Sequence, residues 1–183
     1  MIFRIKDLTK IFIIIDPDSA NLAKKVAESK PDGLFIIANA GGTAEITQQL
    51  RKIGCEVQIY SPLWSNTVDL IKKGGTAVEG AFVVGAIDNN DSSKEFLKFK
   101  EDYLQKYGDT PSFSSVYSYE SATVLFKAIK MGPNLKPSTL KKNIIKIGEF
   151  QGLEENFQID QFGDVVRYYK VFRVENGELR KAD

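Results

Sequence analysis

Gly33-Leu34-Phe35-Ile36-Ile37-Ala38-Asn39-Ala40-Gly41-Gly42-Thr43 decides how the chain is read. A short run of uncharged, mostly apolar residues, closed by turn formers and followed by a helical period, marks a buried strand that hands over to a helix. From Thr43 onward Ile46, Leu50 and Ile53 recur on one helical face, and Gly54 supplies the residue past the C-cap. The same unit repeats on either side. Upstream, Ile11 to Ile15 reads as a buried strand, followed by a helix with Ser19 as N-cap and Leu22, Ala23, Val26 and Ala27 at helical spacing up to Lys30-Pro31. Downstream, Val57, Ile59 and Tyr60 form a strand and Ser61-Pro62-Leu63-Trp64-Ser65 a loop. Asn66 to Lys73 is a short helix with Val68 and Ile71 inward, and Gly80 to Gly85 is another strand. This alternation predicts an α/β fold, a three-layer arrangement of a parallel sheet with helices on both faces.

The rhythm breaks at Ala86-Ile87-Asp88-Asn89-Asn90-Asp91, a polar run that reads as a crossing or hinge centred on Ile87 and Asp88. Three helices follow without an intervening strand. Ser92-Ser93-Lys94-Glu95 matches a capping box ahead of Phe96, Phe99, Tyr103 and Tyr107, and Gly108 ends that helix. The next runs from about Ser115 to Met131 with Ala122, Leu125, Phe126 and Ile129 inward; the third starts at Pro137 and carries Leu140, Ile144 and Ile147. The tail reads as antiparallel strands: Phe157 to Ile159, Val165 to Val174, and an Asn176-Gly177 hairpin before Leu179. The helices without a strand between them set off a second structural region, about residues 87–163.

Composition narrows the function. The chain has 183 residues, with 25 Lys plus Arg against 24 Asp plus Glu, a balance that argues against a nucleic-acid partner. Its 43% hydrophobic and 27% charged residues are those of a folded globular protein. The absence of histidine removes Ser-His-Asp and Cys-His catalysis and every imidazole metal site, which weakens most hydrolase readings; no metal site and no cofactor is expected. Cys55 has no partner for an internal disulfide and reads as a small buried hydrophobe. The longest apolar run is far below the ~20 residues that span a bilayer. The N-terminus lacks the pattern of an export signal.

Candidate binding residues follow from strand ends. Asn39, Ala40 and Gly41 join a strand to a helix, where backbone N–H groups and the helix dipole suit an anionic ligand group; a tight turn without a ligand is the other reading. Ser61, Trp64 and Ser65 hold the equivalent place after the next strand, with Trp64 either a stacking platform or an anchor of its own loop. Asp88 and Asp91 can be read as paired catalytic acids, but among Asn and Ser they fit hinge and cap hydrogen bonds better.

Several stretches together resemble the substrate-binding proteins of branched-chain amino-acid ABC transporters, the type I periplasmic binding proteins. They are Gly74-Gly75-Thr76-Ala77-Val78-Glu79-Gly80-Ala81, Phe96-Leu97-Lys98-Phe99, Lys106 to Ser112 with Tyr119-Glu120-Ser121-Ala122, Phe150-Gln151-Gly152-Leu153, and Ile159-Asp160-Gln161-Phe162-Gly163-Asp164. The resemblance covers the second part of such a protein, so the chain is expected to comprise most of lobe two, residues 1–86 and 164–183, plus a helical piece of lobe one. It implies a non-catalytic solute receptor that clamps a small molecule between two lobes and hands it to the membrane permease of an ABC transporter, in the periplasm or outside the cell. A sensory ligand-binding domain that reports to a kinase is the alternative within the same fold. An enzyme using Asp88 or Asp91 is the third reading. Family members that bind amino acids commonly place an acid in the loop matching Pro62 to Ser65; its absence here favours an apolar or aromatic ligand. Tyr117, ahead of the Tyr119-Glu120 motif, is expected to reach the ligand from the other side. With a first lobe missing, the apolar helix faces carrying Phe96, Phe99, Leu125, Phe126, Leu140 and Ile144 are expected to make the fragment self-associate.

Overall fold

The computed structural model describes residues 18–88 and 90–182; the expected strand Ile11 to Ile15 lies outside them. The chain forms two compact units, one through Gly85 that the chain rejoins at Lys170, the other Ala86–Tyr169. The polar hinge run therefore begins where the first unit ends.

In the first unit a five-stranded sheet runs in the order β1 (Gly33–Phe35), β2 (Gln58–Ser61), β3 (Phe82–Gly85), β7 (Lys170–Glu175), β8 (Glu178–Lys181). β1, β2 and β3 are parallel, whereas β7 and β8 add on antiparallel. The sheet is thus parallel-rich, with its antiparallel strands supplied by the tail. Helix α1 (Ser19–Ser29) leads into β1, and α2 (Ala40–Lys52) and α3 (Val68–Gly74) form the crossovers from β1 to β2 and from β2 to β3. Their inward residues Ala23, Val26, Ala44, Leu50 and Leu70 make one core with Ile59, Val78, Val83 and Val174.

Local chemistry moves three expected details. Asp18, not Ser19, caps α1: its carboxylate accepts from the amides of Ala20 and Asn21 at 3.0 and 3.2 Å, and the Ser19 hydroxyl is left to donate to Glu45. A carboxylate at the positive end of the helix outcompetes a hydroxyl one residue on. α2 begins at Ala40 rather than Thr43, because Asn39 caps it, and buries Thr43, Ala44, Thr47 and Leu50 while Ile53 ends 45% exposed. In α3 it is Leu70 that is fully buried, and Val68 is 52% exposed.

The Asn176-Gly177 turn is as expected, with positive φ at both residues (54° and 73°), which is what a right-twisted hairpin needs. Its amides are held from outside: Glu79 accepts from Asn176 at 2.5 Å and from Gly177 at 3.3 Å. The glutamate of the Glu79-Gly80 motif is therefore a clip on the terminal hairpin.

The second unit contains α4 (Lys94–Tyr107), α5 (Phe113–Lys130) and α6 (Pro137–Ile147) with a three-stranded antiparallel sheet of β4 (Glu149–Phe150), β5 (Phe157–Ile159) and β6 (Val165–Val166). Ile87, Phe96, Val116 and Leu153 form one buried cluster, and Val124, Phe150 and Phe157 another. The expected inward face of α5 is not the observed one. Val116, Glu120, Val124 and Ala128 are buried at four-residue spacing, whereas Leu125 and Phe126 are 42% and 61% exposed. Apolar periodicity misplaced that stripe because its centre is a carboxylate. Nor is there a capping box on α4: the Ser93 hydroxyl donates to the carbonyl of Leu153 at 2.9 Å, and Asp91 accepts from the amide of Ser93. The expected single strand from Val165 to Val174 is split, with β6 in one sheet and β7 in the other, and Arg167 in the break is drawn into an ion pair with Glu120.

Candidate functional site

Two loops follow parallel strands in the first unit, and one buried hydroxyl joins them. Ser65, 0% exposed, donates through Oγ to the carbonyl of Ala38 at 2.9 Å and lies 2.8 Å from the Thr43 hydroxyl. Thr43 in turn gives its carbonyl to the Thr47 hydroxyl at 2.7 Å. The loop that follows β1, the first turn of α2 and the 3-10 turn Leu63–Ser65 are thereby fixed to one another. Sequence reading missed Thr43 and Thr47; a hydroxyl directly after Gly41-Gly42 was the available sign. Ser65→Ala removes two buried hydrogen bonds and is expected to cost about 1–3 kcal/mol in urea denaturation. A blue-to-red change in Trp64 emission in the folded variant reports whether the loop loosens with it.

The candidates sort by exposure. Trp64 is 62% exposed beside fully buried Ser65, so the loop presents its indole outward on a fixed base. The Asn39 side chain accepts from the Gly42 amide at 2.9 Å, leaving the amides of Ala40 and Gly41 as the outermost donors of the first turn. Lys73 adds positive charge there: its ammonium sits 3.5 Å from where a side chain on Gly41 would begin, and 3.5 Å from Asp69. Ser61 is 1% exposed and its hydroxyl has no hydrogen-bond partner among the described residues. The loop Ser61 to Ser65 contains no carboxylate.

The remaining candidates belong to the second unit. Half-buried Tyr117 lies under the Arg167 guanidinium, 5.0 Å from its ring, and burial pushes its phenol above the ordinary range while the nearby Arg167 opposes this. Arg167 is held by Glu120 at 2.6 Å, both side chains 5–6% exposed. Ile87 is buried in the Phe96 cluster, and the Asp88 amide donates to Glu154 at 2.6 Å. The Asp88 carboxylate accepts from the Asn90 amide and that of Asp91 from Ser93, so both acids shape the backbone. Among the described residues no group of three or more Cys, Asp or Glu gathers as a metal site.

An open sheet whose parallel strands end in such loops is the architecture that carries ligands at its carboxyl edge. The periplasmic binding protein family matches residues 15–178, and the chain belongs to that family. Among solved structures it is similar to a leucine-binding protein, LivK, of Thermotoga maritima (27% identity, TM-score 0.82, 92% of this chain and 48% of that one). It is also similar in fold to the branched-chain amino acid substrate-binding protein LivJ of Streptococcus pneumoniae, solved with isoleucine (17% identity, TM-score 0.79, 93% and 50%). A third is an ABC-transporter solute-binding protein of R. palustris solved with benzoate (17% identity, TM-score 0.79, 92% and 47%). The chain thus spans about half the length of the solved proteins it matches. No curated protein matches it in sequence. The family is one of solute-binding proteins rather than enzymes, and no described helix is long and apolar enough to cross a membrane.

Proposed function

We propose that the chain forms part of an extracytoplasmic solute receptor of an ABC importer, delivering to its membrane permease a small apolar or aromatic carboxylate, amino-acid-like in size. The observation that carries this is the exposed indole of Trp64 on a loop bolted through Ser65 to the first turn of α2. The ring offers a face for stacking, and the α2 amides with Lys73 favour a carboxylate. Without an acid between Ser61 and Ser65, that loop offers no counter-ion for an ammonium group. Similarity to proteins solved with isoleucine and with benzoate supports both sides of this ligand class. Hinge motion at Ile87-Asp88 and a ligand contact from Tyr117 belong to the same reading.

Trp64 is the single tryptophan, so titration with benzoate, leucine and isoleucine is expected to change the emission of this one side chain. In calorimetry Trp64→Ala should bind the preferred ligand more weakly by about 1 kcal/mol or more. Equal affinity in the variant removes the stacking role.

We also propose that the chain by itself self-associates. Of the side chains expected to lack a partner, Phe96 is fully buried and Ile144 packs on the Phe150 cluster, so the uncovered surface rests on Leu125 and Phe126, with Leu97 and Leu104 at 49% exposure. Light scattering should show a dimer or larger that Phe126→Ser weakens; a monodisperse monomer overturns it.

A further inference from the structure

The chain leaves the first unit at Gly85 and returns at Lys170, and these two residues are register partners in the sheet. Just beyond them, both crossings are fastened in the second unit. On the outgoing crossing, the Asp88 amide donates to Glu154 Oε1 at 2.6 Å, and Ile87 packs in the cluster that contains Leu153. On the returning crossing, Arg167 donates through Nη2 to Glu120 Oε2 at 2.6 Å. The other Glu120 oxygen, Oε1, accepts from the Leu153 amide at 2.9 Å, and the Leu153 carbonyl takes the Ser93 hydroxyl. One buried carboxylate therefore holds the returning crossing with one oxygen. With the other it holds the loop that carries the outgoing crossing.

The geometry points to Glu120 as a tie between the two crossings, a positioning residue that makes them yield together. It goes beyond the receptor reading and stands whatever ligand the protein takes. Three features support it. The Glu120 and Arg167 side chains are each about 95% buried, where an ion pair is weakly screened and removal of one partner strands the other. Arg167 is packed between the rings of Tyr117 and Phe157, at 5.0 and 4.7 Å, so it has one place to be. Gly152 lets the loop approach: a Cβ there would lie 2.6 Å from Glu120 Oε1. Stiffness at both crossings would then be set by this carboxylate.

Amide hydrogen exchange on the intact chain tests it. In Arg167→Met, at a residue whose partners are Glu120, Tyr117 and Phe157, the Asp88 amide should exchange about tenfold faster, together with Lys170 and Val171, since coupled partners share of order 1 kcal/mol. Val83 in β3 and Val124 in α5 should stay as protected as before. If Arg167→Met does not fold, Arg167→Lys should give the same pattern at about a third of the size. Acceleration confined to residues near 167, with Asp88 unmoved, overturns the tie, as does a uniform rise across the second unit. Neither outcome bears on Trp64, so failure here is distinct from failure of the ligand reading.

Discussion

Glu120→Ala is expected to lower the stability of the protein by about 3–5 kcal/mol, read as an earlier loss of helical circular dichroism in urea. The variant deletes both acceptors at once. The Leu153 amide loses a 2.9 Å hydrogen bond, and Arg167 keeps its charge in a pocket where its side chain is 5% exposed. The aromatic faces of Tyr117 and Phe157 soften that loss without replacing a counter-ion. Because the cost comes from the stranded cation, Glu120→Ala combined with Arg167→Met should be less damaging than the sum of the two single changes. A sum within about 0.3 kcal/mol of additivity would show that the ion pair carries none of the effect.

Gly152→Ala is expected to cost about 3 kcal/mol by overpacking, although it adds one methyl group. A Cβ at this position would run into the backbone carbonyl of Glu155 and lie 2.6 Å from Glu120 Oε1 and 3.3 Å from the Phe157 ring. A flexible side chain can swing aside, but a carbonyl in a tight loop moves only with the loop. The hydrogen bonds of Asp88 to Glu154 and of Ser93 to Leu153 move with it. By contrast, Gly54→Ala meets nothing within 4 Å and pays only for its left-handed φ of 73°, about 1 kcal/mol. Parallel urea titrations of the two variants check the ranking; equal destabilisation would mean that the loop gives way and the contacts at Gly152 do not govern its cost.

These two residues show why family signatures were legible before their purpose was. Tyr119-Glu120 and Phe150-Gln151-Gly152-Leu153 stood out as sequence, yet they lie more than thirty positions apart, and only the fold brings the Glu120 carboxylate onto the Leu153 amide. The Asp160 to Asp164 stretch is different. Asp160 accepts from the amides of Phe162, Gly163 and Asp164, each at 2.9 Å, a turn whose chemistry is complete within five residues and so can be read directly.

The sequence by itself determined the alternation of helices and strands from Ser19 to Gly85, the three helices that follow, the hairpin at Asn176-Gly177 and, through the resemblance its motifs carry, the family. All but the family rest on local backbone preferences or on short-range periodicity, which neighbouring residues specify. Tertiary structure alone decided which face of α5 is buried, why Val165 to Val174 breaks into two strands, and that Ser65 fastens a loop. Each depends on a polar side chain that becomes buried because a distant partner satisfies it: Arg167 for Glu120, the Ala38 carbonyl and Thr43 for Ser65. A periodicity argument assigns such residues to solvent, since an unpaired polar group costs several kcal/mol to bury. The partner that reverses the sign of that cost lies 47 residues away in one case and 22 or 27 in the other.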